Sequence, residues 1–213
     1  MIYEGSDFKR VEEELIKSYS KTTPATIGHF REKGFCDPAI KPVYRRVRLV
    51  GTAFTVQLGR KDIAAITRAY ELIEKGDILV VNSGEGSPFA CAGEISTFKS
   101  IRLGVKGLIV DGAVTDCLEM EAIKFPCFAR SINSLVGRKL GEEGAVRVPV
   151  NIGGIVVNSG DLVVADDNGI VFLKPEEAEE LLPKLLAKEA DEEIKRAEFW
   201  KEIGKPVPVL YQE

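Results

Sequence analysis

Residues 107–116, GLIVDGAVTD, are the stretch on which the fold turns. Leu108, Ile109 and Val110 form an apolar run without polar alternation, the pattern of a strand buried on both faces. Gly112 reads as the turn that ends it. Asp116 then needs a reason: it is a carboxylate just past an apolar strand, beside Thr115, with Glu119 close behind. It would either cap a helix or hold a metal ion at a strand's C-terminal edge.

The flanking segments choose the fold class. Upstream, Ile78-Leu79-Val80-Val81 is a second short apolar strand. A helix over 61–74, with Ile63, Ile66, Ala69, Tyr70 and Ile73 inward, precedes it, and Gly76-Asp77 ends that helix. A further helix from about Gly93 to Leu103, stopped by Gly104, joins the two strands. Downstream, Glu119 to Ile123 begins a helix or turn, and Pro126-Cys127-Phe128-Ala129 reads as the next strand. Strand, helix, strand, helix, strand implies an α/β fold with a parallel sheet and helical crossovers.

The ends of the chain differ in character. Phe8, Val11, Leu15 and Ile16 predict an amphipathic helix over 7–19. Thr23 caps a short helix with Pro24 at its first position, running through Phe30 and stopping near Gly34. Val47–Val50 and Phe54–Leu58 flank Gly51 as a strand or a bent strand pair. Short strands are predicted at 146–150, 155–157, 162–165 and 170–173, with a hairpin signal at Asn168-Gly169. Pro175 opens a long charged helix over 176–203, either continuous or broken at Pro183. No low-complexity linker divides the chain, so residues 1–213 are read as one domain with a core of about 20–175.

Composition narrows the function classes. The 213 residues are 45% hydrophobic, enough for one substantial core, and the net charge is −4. That balance argues against a protein that grips nucleic-acid phosphates. The run Tyr44-Arg45-Arg46-Val47-Arg48 reads as a solvated edge strand or a subunit contact. Cys36, Cys91, Cys117 and Cys127 form no CxxC pair, which argues against a structural zinc site and suits small buried side chains. Met1 to Glu14 has no apolar signal region and no run reaches the length of a membrane span. The expectation is a cytoplasmic protein with reduced thiols. The Lys- and Glu-rich surface hints at a thermophile.

In a parallel α/β sheet, ligands bind beyond the carboxyl ends of the strands. Two such ends carry polar chemistry here. After 78–81 comes Asn82-Ser83-Gly84-Glu85-Gly86-Ser87-Pro88, leading to Gly93-Glu94-Ile95-Ser96 at a helix start. After 107–110 comes Asp111 through Asp116. The helix start would offer free backbone N–H groups to a carboxylate or phosphate. The glycine-rich loop is neither a Walker motif nor a dinucleotide fingerprint, and alone it also reads as plain turn chemistry. Glu94 suits a helix macrodipole by itself, yet Glu94 and Asp116 converging beside an anion-binding nest would suit a hard cation such as Mg²⁺.

These motifs resemble a known family. Gly76 to Val81, Gly93-Glu94-Ile95, Gly104-Val105-Lys106-Gly107, Asp111-Gly112 and Asp116 match in order and spacing the family of the regulator of ribonuclease E activity A (RraA-like). That family includes the 4-hydroxy-4-methyl-2-oxoglutarate/4-carboxy-4-hydroxy-2-oxoadipate aldolases. The match continues through Val148-Pro149-Val150, Gly153-Gly154 and Asn158-Ser159-Gly160-Asp161 to Ala165–Gly169. The resemblance implies a swivelling α/β/β/α sandwich and ring-shaped trimers, or hexamers of stacked rings, with sites at subunit interfaces. It implies that Asp116 holds Mg²⁺ or Mn²⁺ largely through water and that Glu94 positions a catalytic water. The amides of Gly93 to Ser96 would hold a 2-oxo acid carboxylate, and Glu189 or Glu192 of a neighbour would complete the site. The aldolases carry an arginine where this chain has Thr115, and threonine cannot neutralise a carboxylate.

Arg130, at the end of the next strand, would supply the missing charge or serve a structural ion pair. His29, the one histidine, reads as a packed or capping residue, with a substrate contact as the sharper alternative. The expected function is a metal-dependent lyase on a small 2-oxo acid, with Glu94, Thr115, Asp116 and Glu192 in catalysis. Gly93, Ile95, Ser96 and Arg130 would join them in binding substrate. The rival is a non-catalytic regulatory trimer that binds a partner protein such as a ribonuclease.

Overall fold

The computed structural model describes residues 1–84 and 86–208. Its centre is a run of four parallel strands. These are β3 (Arg48–Leu58), β4 (Asp77–Asn82), β5 (Gly107–Val114) and β6 (Cys127–Ile132), adjacent in that order. Helices α3 (Ala64–Leu72), α4 (Glu94–Arg102) and α5 (Cys117–Ile123) make the crossovers. The strand–helix rhythm of the sequence is therefore present.

Each face of this sheet buries its own core, because side chains alternate along every strand. Phe54, Val56, Leu79, Val81, Leu108 and Val110 pack with Ile66, Ala69 and Met120 of the crossover helices. Ala53, Ile78, Val80, Ile109 and Phe128 face the other way. They pack with the hairpin of β8 (Val150–Ile152) and β9 (Ile155–Val157) and with Ile170 and Phe172. Gly153 and Gly154 take φ of +54° and +83°, the paired positive values of a tight primed hairpin turn.

A third core gathers the remaining elements. Leu15 and Tyr19 of α1 (Glu13–Tyr19), Ile27 of α2 (Pro24–Gly28), and Ala178 and Leu185 of α6 (Pro175–Glu202) cover the hairpin of β10 (Leu162–Asp166) and β11 (Gly169–Leu173). The start of β3 pairs antiparallel with β10, while its end pairs antiparallel with β7 (Gly144–Val146). β1 (Tyr3–Glu4) adds outside β7, and β2 (Lys41–Pro42) closes the far edge on β6.

Several expectations change in detail. Residues 48–58 form one continuous strand, because Gly51 lets the backbone of Gly76 and the Ile78 side chain approach closely instead of bending the chain. β5 runs on through Gly112 to Val114, with an irregularity in its pairing to β6 between Val110 and Ala113. The expected strand 146–150 divides, because Arg147 takes a φ of +56°. The N-terminal helix begins only at Glu13; Phe8 lies ahead of it and packs edge-on against Phe54. α6 passes through Pro183 as one helix of 28 residues. Among the described residues no helix is long and apolar enough to cross a membrane.

Candidate functional site

A short ladder sets the geometry. Residues 90–92 run alongside the end of β5. The Cys91 amide donates to the Ala113 carbonyl at 3.0 Å, and the Thr115 amide donates to the Ala92 carbonyl at 2.9 Å. This places the first turn of α4 directly against Thr115 and Asp116. Gly93 permits the approach, since a Cβ there would lie 2.8 Å from Thr115 Cγ2 and overlap the Asp116 carboxylate.

Asp116 sits in the left-handed region, with φ of 56° and ψ of 43°. Aspartate tolerates this better than most residues, and such a conformation persists only where its surroundings hold it. Asp116 immediately precedes α5, yet its side chain makes no capping bond to α5. It caps α4 instead: the Glu94 amide donates to Asp116 Oδ2 at 2.8 Å. Thr115 Oγ1 donates to Asp116 Oδ1 at 3.0 Å. Asp116 thus does cap a helix, and the helix is α4.

The rest of that turn is open. Ser96 Oγ accepts the Gly93 amide at 2.8 Å, and a glycine has no side chain to return the bond. Among the described residues the amides of Ile95 and Ser96 have no hydrogen-bond partner. Two free N–H groups at the positive end of α4 therefore lie beside one exposed carboxylate. The Glu94 side chain, partly exposed, makes no ion pair among the described residues. Ile95 and Leu118 stand beside this cluster 78% and 73% exposed.

The other expected residues lie elsewhere. Arg130 donates from Nε to Asp111 Oδ1 at 2.5 Å and from Nη1 to Asp37 Oδ2 at 2.9 Å. These two carboxylates hold its guanidinium above its ordinary pKa. Asp37 is correspondingly lowered, first by the Ala39 amide and then by Arg130. The triad borders a cleft of about 570 Å³ with Asn82, Asn151 and Gly154. Asp111 also accepts the Gly153 amide at 2.6 Å, which ties the β8–β9 hairpin down. Arg130 makes no hydrogen bond or ion pair with Thr115, Asp116 or Glu94. Asp111 and Arg130 each follow the last paired residues, Val110 and Ala129, at the point where the register between β5 and β6 shifts.

Glu189 and Glu192 face α2 of their own chain. Thr26 Oγ1 donates to Glu189 Oε1, and Glu192 pairs with Lys188 at 2.9 Å. His29 Nε2 lies 3.9 Å from Glu192 Oε1 and is itself exposed. Lys188 holds the Glu192 carboxyl below its ordinary range. Within one chain neither glutamate contacts Asp116 or Glu94.

Metal binding is constrained by this donor set. No group of three or more His, Cys, Asp or Glu side chains comes together among the described residues. One exposed carboxylate with a second beside it fits a hard divalent ion that keeps most of its waters, and does not fit an all-protein cage.

The model of the RraA-like family, described as Aldolase/RraA, matches residues 23–172. The chain belongs to the RraA-like family. A Halalkalibacterium halodurans protein provisionally named a 4-hydroxy-4-methyl-2-oxoglutarate aldolase is 33% identical over 156 residues, covering 73% of this chain and 74% of that protein. The solved structure of RraAS2 from Streptomyces coelicolor, described as an unusual member of the RNase ES inhibitor RraA family, aligns with a TM-score of 0.77. It is 26% identical and covers 89% of this chain and all of that one. RraA from Thermus thermophilus, described as an RNA-processing inhibitor, aligns with a TM-score of 0.62 at 25% identity, covering 70% and 90% of the two chains. The RraA-like architecture expected from the motifs is therefore shown as a mixed α/β fold.

Proposed function

We propose that this RraA-like protein is a divalent-metal-dependent carbon–carbon lyase acting on a small 2-oxo acid. The observation that carries the reading is the junction of Asp116 with the α4 N-terminus. It sets free amides of Ile95 and Ser96 beside a carboxylate that is already hydrogen-bonded on both oxygens. Free amides at a helix N-terminus bind a substrate carboxylate. Asp116 is the group that would hold Mg²⁺ or Mn²⁺, which when bound supplies Lewis acidity at the 2-oxo group. Thr115 orients Asp116 through its hydroxyl. Glu94 is free to take or return a proton through water, as general acid–base work requires.

A ring-shaped trimer is part of the same proposal. The end of α6 supports it, because Phe199 and, one turn further, Ile203 share a face and are each 59% exposed. Such a patch marks a protein contact. A neighbour's Glu192 or Glu189 would then enter the site, and Glu192 would first leave Lys188. Light scattering should find the protein in multiples of its 23.3 kDa chain.

The testing experiment is Mn²⁺-dependent release of pyruvate from oxaloacetate, compared with Asp116→Asn and with metal alone. Release above the metal-only rate that the variant loses supports the lyase. A rate no higher than metal alone overturns it. One observation favours the rival regulatory reading, in which the oligomer binds a partner protein: Thr115 stands where the aldolases place a cation. The Thermus protein, described as an RNA-processing inhibitor, and RraAS2, described as an unusual member of an RNase ES inhibitor family, share this fold.

A further inference from the structure

We infer that the cleft beside the β8–β9 hairpin is a second binding site, which takes a small neutral molecule carrying neighbouring hydroxyl groups. The inference is independent of the lyase reading. The cleft, of about 570 Å³, lies at the carboxyl ends of β4, β5 and β6 and is bordered by Asn82, Asp111 and Arg130 of those strands and by Asp37 and Asn151. Ligands of parallel sheets bind at such ends, and this volume is that of a small-molecule pocket. The cleft opens on the hairpin face of the sheet, where the Asp111 carboxylate holds the Gly153 amide. α4 packs on the opposite face, where the Tyr70 hydroxyl bonds the Ser96 carbonyl and Ser100 Oγ.

Two features set this cleft apart from a gap between elements. The first is a bulge. Val110 pairs with Ala129 and Ala113 with Ser131, so Asp111 and Gly112 stand against the single Arg130. Bulges interrupt the ladder and recur next to functional sites. The second is that the bordering side chains are already fixed. Arg130 is held by Asp111 and Asp37, and Asp37 Oδ1 accepts the Ala39 amide at 2.9 Å. Asn82 accepts the Gly84 amide at 2.7 Å and donates to the Asn151 carbonyl at 2.9 Å. Asn151 Oδ1 accepts the Gly154 amide at 2.9 Å. A ligand entering here meets groups that need no reordering, which lowers the cost of binding.

The bonding capacity left over selects the ligand. Among the described residues Arg130 Nη2 and Asn151 Nδ2 donate to nothing, and Asp37 Oδ2 accepts only from Arg130. Two N–H donors and one carboxylate acceptor fit adjacent hydroxyls, each of which can accept one bond and donate another. Charged ligands fit worse. An anion finds the one guanidinium of the cleft already neutralised by two carboxylates, and a metal ion finds that guanidinium standing between them. Among the described residues no aromatic side chain borders the cleft, so a nucleoside would have nothing on which to stack its base. The class is therefore a free sugar or sugar alcohol.

Saturation-transfer NMR on the full chain tests this, with D-ribose, adenosine and inorganic phosphate as probes. Ribose should receive transfer from the protein and keep it when phosphate is added in excess. Asp37→Asn exchanges an acceptor for a donor, and Asn151→Ala removes a donor at an exposed position. Each should weaken ribose binding about tenfold, the worth of one or two hydrogen bonds, in a protein whose thermal unfolding shows it folded. Asp116→Asn, at the junction with α4, should leave ribose binding in place. Absence of transfer to ribose overturns the inference. So do displacement of ribose by phosphate, tighter binding of adenosine than of ribose, transfer that survives both cleft variants, and loss of transfer in Asp116→Asn. None of these results bears on the lyase reading, which stands or falls with pyruvate release.

Discussion

The Asp116 carboxylate accepts the backbone N–H of Glu94 across the end of the sheet, at 2.8 Å. One residue thereby fixes the first turn of α4 from outside that helix and keeps a charged oxygen available at its positive end. The two roles separate by charge, because an amide oxygen can cap and only a carboxylate binds a hard cation well.

Asp116→Asn should therefore fold normally and fail to bind Mn²⁺. Asparagine also tolerates the left-handed conformation, and its oxygen still accepts the Glu94 amide. The expected stability cost is about 1 kcal/mol or less, for loss of charge near a helix dipole. Calorimetric titration with Mn²⁺ and thermal unfolding measure both arms. Unchanged Mn²⁺ affinity would place the metal elsewhere.

Gly93→Ala probes the close approach alone. Gly93 has extended backbone, with φ of −159°, so alanine meets no conformational penalty there. Its methyl group would lie 2.8 Å from Thr115 Cγ2 and on the Asp116 carboxylate. The carboxylate has to swing off the Glu94 amide. Turnover should fall by roughly 10² while stability falls by about 1–3 kcal/mol, the usual range for overpacking. Full turnover in the variant would show that the junction is dispensable.

The legibility of this molecule follows a physical line. The β4–α4–β5–α5–β6 rhythm was readable because Ile78–Val81 and Leu108–Val110 are apolar runs bounded by glycines. The relation of Gly93 and Glu94 to Asp116 could be reached only as a convergence of two loops. The ladder of Cys91 and Thr115 that creates it uses backbone bonds, which leave no residue signature. Arg130 was legible as a strand-end cation, and its two carboxylates come from 19 and 93 residues away. Pro183 does not break α6, because a proline in its third turn removes one backbone hydrogen bond without removing the packing of Ala178 and Leu185.

Asp62 offers a pH test away from the site. Its side chain is buried at 2% exposure and accepts the amides of Ala64, Leu140, Glu142 and Glu143. Burial alone would raise its pKa, but the four N–H groups win and hold it well below the ordinary carboxyl range. A depressed folded-state pKa gives stability that is complete above the unfolded value of about 3.9 and is lost as pH falls toward the folded value. Asp62→Ala should cost about 2 kcal/mol at pH 7, by leaving amides of the 140–143 loop without their acceptor. Urea unfolding should show that difference shrinking below about pH 4. A pH-independent difference would mean the carboxylate's charge does not matter.

The last prediction concerns Thr115 and the cation it replaces. The Thr115 hydroxyl donates to Asp116 Oδ1 at 3.0 Å, so an arginine at the same position would start beside the Asp116 carboxylate. Its guanidinium would also reach substrate oxygens in a bidentate way. A charge-assisted contact at a developing enolate is worth roughly 10² in rate. Thr115→Arg should therefore raise oxaloacetate decarboxylation under saturating Mn²⁺. Arg130→Ala gives the contrast. It breaks the pairs with Asp111 and Asp37 and loosens the β8–β9 hairpin that Asp111 holds at Gly153. Its effect should appear in thermal unfolding, at about 1 kcal/mol for a partly exposed ion pair, with little change in turnover. If Arg130→Ala abolishes turnover in a protein that stays folded, Arg130 is the substrate cation after all. If neither substitution changes turnover, the lyase loses its main support and the regulatory reading takes its place.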